Sequence, residues 1–147
     1  MPSLFDKQIQ HEVQSRINNL SENYQRQWGK MSVSQMLKHL EVAFAVPIQK
    51  INLPKENLQF LVANPLMRKL MIDIIPWPKN MMTAKDFIVN TDPGFVKAKQ
   101  EFLETYQQFL TAKELHGSHP IFGVMDKDTW GRAMYKHLDH HLRQFGV

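Results

Sequence analysis

The chain has 147 residues, 43% hydrophobic and 22% charged, a size and balance that suit one soluble domain spanning residues 1–147 with a single sizeable core. Its 18 Lys+Arg against 14 Asp+Glu leave a formal charge of +4, scattered rather than gathered into a stripe, so nucleic acid is not an expected partner. There is no cysteine, which excludes disulfides, thiolate metal sites and a cysteine nucleophile.

Residues 5–20 read as a helix. Ile9, Val13, Ile17 and Leu20 recur at spacings of four and three, with Asp6 as a candidate cap and His11 off the stripe, on the solvated side. The N-terminal stretch MPSLFDKQIQHEVQ turns polar and charged almost at once, without a secretory pattern, and no apolar run is long enough to cross a bilayer. Neither a membrane partner nor export is expected, and the cytoplasm is the default location. Ser32 and Gln35 have the spacing of a capping box. They open a second helix that runs to about Pro47 with a broad apolar face of Val33, Met36, Leu37, Leu40, Ala43 and Phe44. His39 lies on the same side of it.

Residues 47–92 carry Pro47, Pro54, Pro65, Pro76 and Pro78, which excludes long helices and predicts a crossover covering one end of a bundle. A short helix is expected from Pro65 to the stop at Pro76. Met67, Met71, Met81 and Met82 are read as core filling. Residues 87–90, FIVN, could be extended. Asp92 and Pro93 predict the cap and first residue of a third long helix with the stripe Phe95, Ala98, Phe102, Tyr106, Phe109 and Leu110. A loop with His116, His119 and Pro120 follows, and Asp126 or Asp128 caps the last helix. The expected fold is all-α: a four-helix bundle with a long crossover between its second and third long helices.

The last helix carries the densest chemistry. His137 and His141 are one turn apart, and at roughly 100° per residue they lie about 40° apart on one face. That face also holds Trp130, Ala133 and Met134, so it looks inward. His140 falls about 60° to the other side of His137, so a His137–His140 pair is also possible, although the four-residue spacing is the commoner one for metals. His39 is the natural third donor. Three neutral imidazoles with an open position suit zinc, nickel or iron. Asp139 lies about 200° from His137, on the far side of the helix, and cannot act as the base of a zinc protease. The remaining polar candidates for substrate contact are His140, Gln144, His119 and His116. Of these, His119 and Gln144 are expected to support the site without binding the metal.

Two stretches resemble the DinB-like superfamily, and within it an uncharacterised family: WGKMSVSQMLKHL at residues 28–40, and HPIFG with YKHLDHHLRQFGV between residue 119 and the end. They cover about a third of the chain. The resemblance implies an up-down-down-up bundle with a divalent metal, zinc or nickel, on His39, His137 and His141. It includes thiol-dependent transferases but implies no single reaction. The expected function is a metal-dependent enzyme acting on a small molecule by thiol transfer or hydrolysis, with a low-molecular-weight thiol as cosubstrate. The competing reading is a non-catalytic metal-binding or stress-related protein. A homodimer is a further partner expectation. The walls of the site are expected to come from Met36, Met134 and Trp130.

Overall fold

A computed structural model describes residues 1–56, 62, 64–81 and 83–147. The described chain is 54% helical with one very small sheet, an all-α bundle. Its helices are α1 Lys7–Asn19, α2 Val33–Ala45, α3 Pro65–Lys69, α4 Phe95–Thr111 and α5 Lys127–Gln144. A π-helical turn, Leu70–Ile74, continues α3, and a 3-10 turn spans Lys85–Phe87. Between α4 and α5, β1 Ser118–His119 and β2 Gly123–Val124 pair antiparallel, with His119 opposite Gly123. The sequence predicts a plain loop there; the pairing is too short to leave a period-2 pattern.

The helices form where their apolar stripes meet. α2 and α4 make the most extensive helix pair. Phe44, fully buried, stacks edge-on against Phe102, Tyr106 and Phe109 at centroid distances of 5.6, 5.6 and 5.1 Å, a geometry that adds to the burial of their rings. Val13, Ile17 and Leu20 of the first stripe and Leu138 and Leu142 of the last complete the core.

Caps define the element ends. Ser32 Oγ accepts from Gln35 N at 3.1 Å, and Ser32 N donates to Gln35 Oε1 at 2.9 Å, so the capping box is present in both directions. The same hydroxyl donates to Asp92 Oδ2 at 3.2 Å, tying the start of α2 to the approach of α4. Ser32→Ala should cost about 1 kcal/mol, read in urea unfolding; a smaller loss than for an exposed serine such as Ser15 would show the cap to be idle.

The start of α4 differs from the sequence expectation. Asp92 accepts from Gly94 N at 2.9 Å and so closes a turn rather than capping the helix, which begins at Phe95. Gly94 stands at the N-cap with φ 81°, a conformation glycine adopts freely. The FIVN stretch forms no strand, because Phe87 closes the 3-10 turn. Met67 is 41% exposed and Met81 lines a cavity, so neither fills the core as expected, whereas Met71 packs against it; Met82 lies outside the described residues.

Lysines finish several chain segments. Lys99 Nζ donates to the carbonyls of Asn18 and Leu20 at the end of α1, at 3.2 and 3.0 Å. Lys127 Nζ donates to those of Ala112 and Lys113 after α4, at 2.6 and 3.3 Å. The last carbonyls of a helix lack partners within it, and a cation there is favourable. No helix among the described residues is long and apolar enough to cross a membrane.

Candidate metal centre

α2 brings His39, and α5 brings His137 and His141, to one place. One ring nitrogen from each lies within 4.8 Å of the other two. All three are buried. The three ring centroids stand 4.7–4.9 Å apart.

The hydrogen bonds around two of the rings select the tautomer. His39 Nδ1 lies 2.9 Å from Phe87 O, a pure acceptor, so Nδ1 carries the proton and Nε2 presents a lone pair. Gln144 Nε2 donates to Trp28 O at 2.8 Å, which orients the amide so that its Oε1 faces His141 Nδ1, also at 2.8 Å. His141 Nδ1 therefore donates, and its Nε2 is the free donor atom. A carbonyl on the remote nitrogen is the usual support of a metal-binding histidine. His39 Nε2 and His137 Nε2 are 2.8 Å apart. Two lone pairs at that distance repel, so a proton or a cation must lie between them. Tetrahedral coordination at ~2.0–2.1 Å puts ligand nitrogens about 3.3 Å apart, which small ring rotations reach. The donor set fits a divalent ion.

Electrostatics favour neutral rings. Burial lowers the pKa of His39. Burial, followed by the neighbouring histidines, drives His137 well below the ordinary value. Burial and His39 do the same to His141, against a smaller opposing effect from the Gln144 hydrogen bond. Neutral imidazole is the form that binds metal.

His119 lines the chamber beside the triad. Its Nδ1 accepts from the backbone N–H groups of Ile121 and Phe122, both at 3.1 Å, and burial lowers its pKa to about 3. It thus caps its own turn and faces the site at once. His140 is not in the triad; its ring meets Trp28 at 5.7 Å and His141 at 5.2 Å, and it lines both cavities described below. His116 is exposed and pairs with Glu114 at 2.9 Å, away from the site. Asp139 turns away to Arg16 and Arg143, at 2.9 and 2.8 Å.

Four histidines held neutral in the fold have a consequence in acid. In the unfolded chain they protonate below about pH 6.5; in the fold they resist. The unfolded state then binds more protons, so stability is full above pH 6.5 and falls as the pH drops toward the native pKa values. The metal-free protein should show a falling Tm between pH 7.5 and 5, before carboxylates titrate. A flat Tm over that range would contradict neutral burial of these rings.

The walls correct the sequence expectation. Met36, Met134 and Trp130 are 0%, 2% and 0% exposed and belong to the core. The site is walled instead by the crossover and the hairpin: Trp77, Met81, Phe87, Ile121 and Phe122 enclose a chamber of about 80 Å³ against the histidines. It adjoins a larger cavity of about 510 Å³ that opens past Trp28, Lys30, Met31 and Asn80 and shares His140 and His141 with the chamber. Trp77, held between two prolines, was a signal in the sequence that could have been read. The Phe87 and Trp28 carbonyls left none, because main-chain acceptors carry no residue type.

The geometry defines an all-α protein with a buried three-histidine cluster under a pocket. The chain belongs to the family described as a protein of unknown function (DUF1569), whose model matches residues 5–146. No curated protein and no solved structure matches it.

Gln144→Ala should weaken divalent-ion affinity by about 10- to 100-fold through the loss of His141's support, measured by competition with a chelator. An unchanged affinity would remove Gln144 from the site.

Proposed function

We propose that this protein is a metal-dependent enzyme of DinB-like type. It holds one divalent ion, zinc or nickel, on His39, His137 and His141 and acts on a small organic molecule, with a low-molecular-weight thiol as cosubstrate. The observation that carries this reading is the convergence of the His39 and His141 lone pairs, each fixed by a carbonyl behind the ring, at the floor of a pocket.

When bound, such an ion can polarise a carbonyl or bring a thiol to its thiolate at neutral pH. The protein's own residues supply the rest. Trp77, Phe87 and Phe122 keep the chamber apolar and restrict water. Space for about 80 Å³ admits the reacting end of a molecule, and the outer cavity takes its body. His119 and His140 stand at the chamber wall, where they can orient a polar substituent. Among the described residues, no Asp or Glu lines either cavity; this lack of a carboxylate general base supports thiol transfer over hydrolysis.

The test is untagged protein with its metal, assayed against a panel of electrophiles with and without low-molecular-weight thiols. Turnover that needs both thiol and metal, and vanishes in His39→Ala, is the expected result. Turnover without thiol would move the assignment to a hydrolase. No turnover across the panel would favour a binding protein.

A further inference from the structure

Beside its histidines, α5 carries a second pair of residues with the same four-residue spacing, Arg132 and Lys136, and both reach the crossover. Lys136 is buried, and its Nζ donates to the carbonyls of Met71, Ile72 and Ile75 at 2.8, 2.9 and 2.5 Å. An ammonium has three N–H groups, and each meets one carbonyl of the π turn and its end. Arg132 Nε meets Asp73 Oδ1 in the same turn at 2.9 Å. The Met71 carbonyl also accepts from Trp77 Nε1 at 3.0 Å. One oxygen therefore joins the lysine to the indole. The Trp77 ring lies 5.7 Å from the His137 ring and stacks on Phe122 at 6.3 Å, and it lines the inner chamber but not the outer cavity.

We propose that Lys136 is a positioning residue. It pins residues 70–75 to the helix that carries His137 and His141, and through the Met71 carbonyl it holds Trp77 as the side wall of the chamber. With that side closed, the route to the histidine nitrogens among the described residues is the outer cavity. Arg132 is the second pin. The assignment of a route rests on the reading of the triad as a metal centre; the pinning of Trp77 does not.

The two parts are tested separately. Protein labelled with 5-fluorotryptophan gives one fluorine resonance for each of Trp28, Trp77 and Trp130, and Trp77→Phe assigns the one that matters. In Lys136→Met, which keeps length and loses the donors, the solvent isotope shift of the half-buried Trp77 ring should grow toward that of a free indole while the resonance of the buried Trp130 stays put. Lys136→Arg should restore it. Asp73→Ala, which removes the acceptor of the second pin alone, should move it the same way by less, and it carries the test if Lys136→Met does not fold. A Trp77 resonance identical to wild type in the folded variants overturns the proposal.

The second arm is zinc transfer from loaded protein to the chelator 4-(2-pyridylazo)resorcinol. Lys136→Met should release zinc at least several-fold faster than wild type, and Lys136→Arg at the wild-type rate. Met31→Trp, which adds bulk to the wall of the outer cavity, should slow release in the wild-type background and not in Lys136→Met, where a second route is open. A Met31→Trp variant that releases zinc at the wild-type rate overturns the assignment of the route. If the wild-type protein takes up no zinc, the metal reading fails, and the fluorine spectra still decide whether Lys136 holds Trp77.

Discussion

Replacing His39 by alanine should abolish stoichiometric divalent metal in the purified protein, with the same result for His137→Ala and His141→Ala. The effect should also appear as stability. An ion present at 100 times its Kd stabilises the native state by about 2.7 kcal/mol, and each variant should lose the rise in Tm that added zinc gives the wild type. His140→Ala should keep both the metal and the rise, because His141, not His140, joins the group with His39 and His137. Metal loss in His140→Ala but not in His141→Ala would mean that the three-residue pairing holds the ion. Acid should release it later than an exposed pair would, since burial keeps His137 and His141 neutral well below the ordinary histidine range. Spacing alone suggests release through about pH 6.5; burial moves that point lower.

Gly117→Ala should be among the most damaging single-methyl additions in the chain. A Cβ there would strike the Val46 carbonyl oxygen and lie 2.6 Å from Val46 C and 2.8 Å from Pro47 Cα. All three are backbone atoms, so no side chain can swing aside. The close approach exists because His116 N and Gly117 N both donate to Pro47 O at 3.2 Å, which seats the stretch before the hairpin on the end of α2. Overpacking of this kind costs about 3 kcal/mol or more, expected as a marked fall in the urea midpoint. Because His119 follows two residues later, the variant should also disturb the chamber. A midpoint within experimental error of wild type would show that the two segments can separate freely.

The helices and the triad were legible from different kinds of signal. Ile9, Val13 and Ile17, or Ala98, Phe102 and Phe109, repeat with the helical period, and periodicity reports the core face of any long amphipathic helix. His137 and His141 were legible because helix geometry alone puts them side by side. His39 needed the packing of α2 against α5, which spacing cannot supply; it entered through its inward face and a family resemblance. The walls were not legible. Trp77 and Phe87 reach the site because lysine, arginine and main-chain carbonyls fold an irregular segment back over α5, and such contacts have no period. Asp92 and Pro93 misled by two residues because Gly94 offered the left-handed turn that delays the helix.

The carbonyl-bound lysines also bear on how the protein will meet covalent reagents. An amine must lose its proton and leave its hydrogen bonds before it can attack an acylating agent, and Lys136 is buried with all three N–H groups donated. Lys97, 70% exposed beside Glu101, has no such restraint. Brief treatment with an N-hydroxysuccinimide ester should therefore mark Lys97 early and Lys136 last, and acylation of Lys136 will track the opening of the crossover rather than the chemistry of the amine.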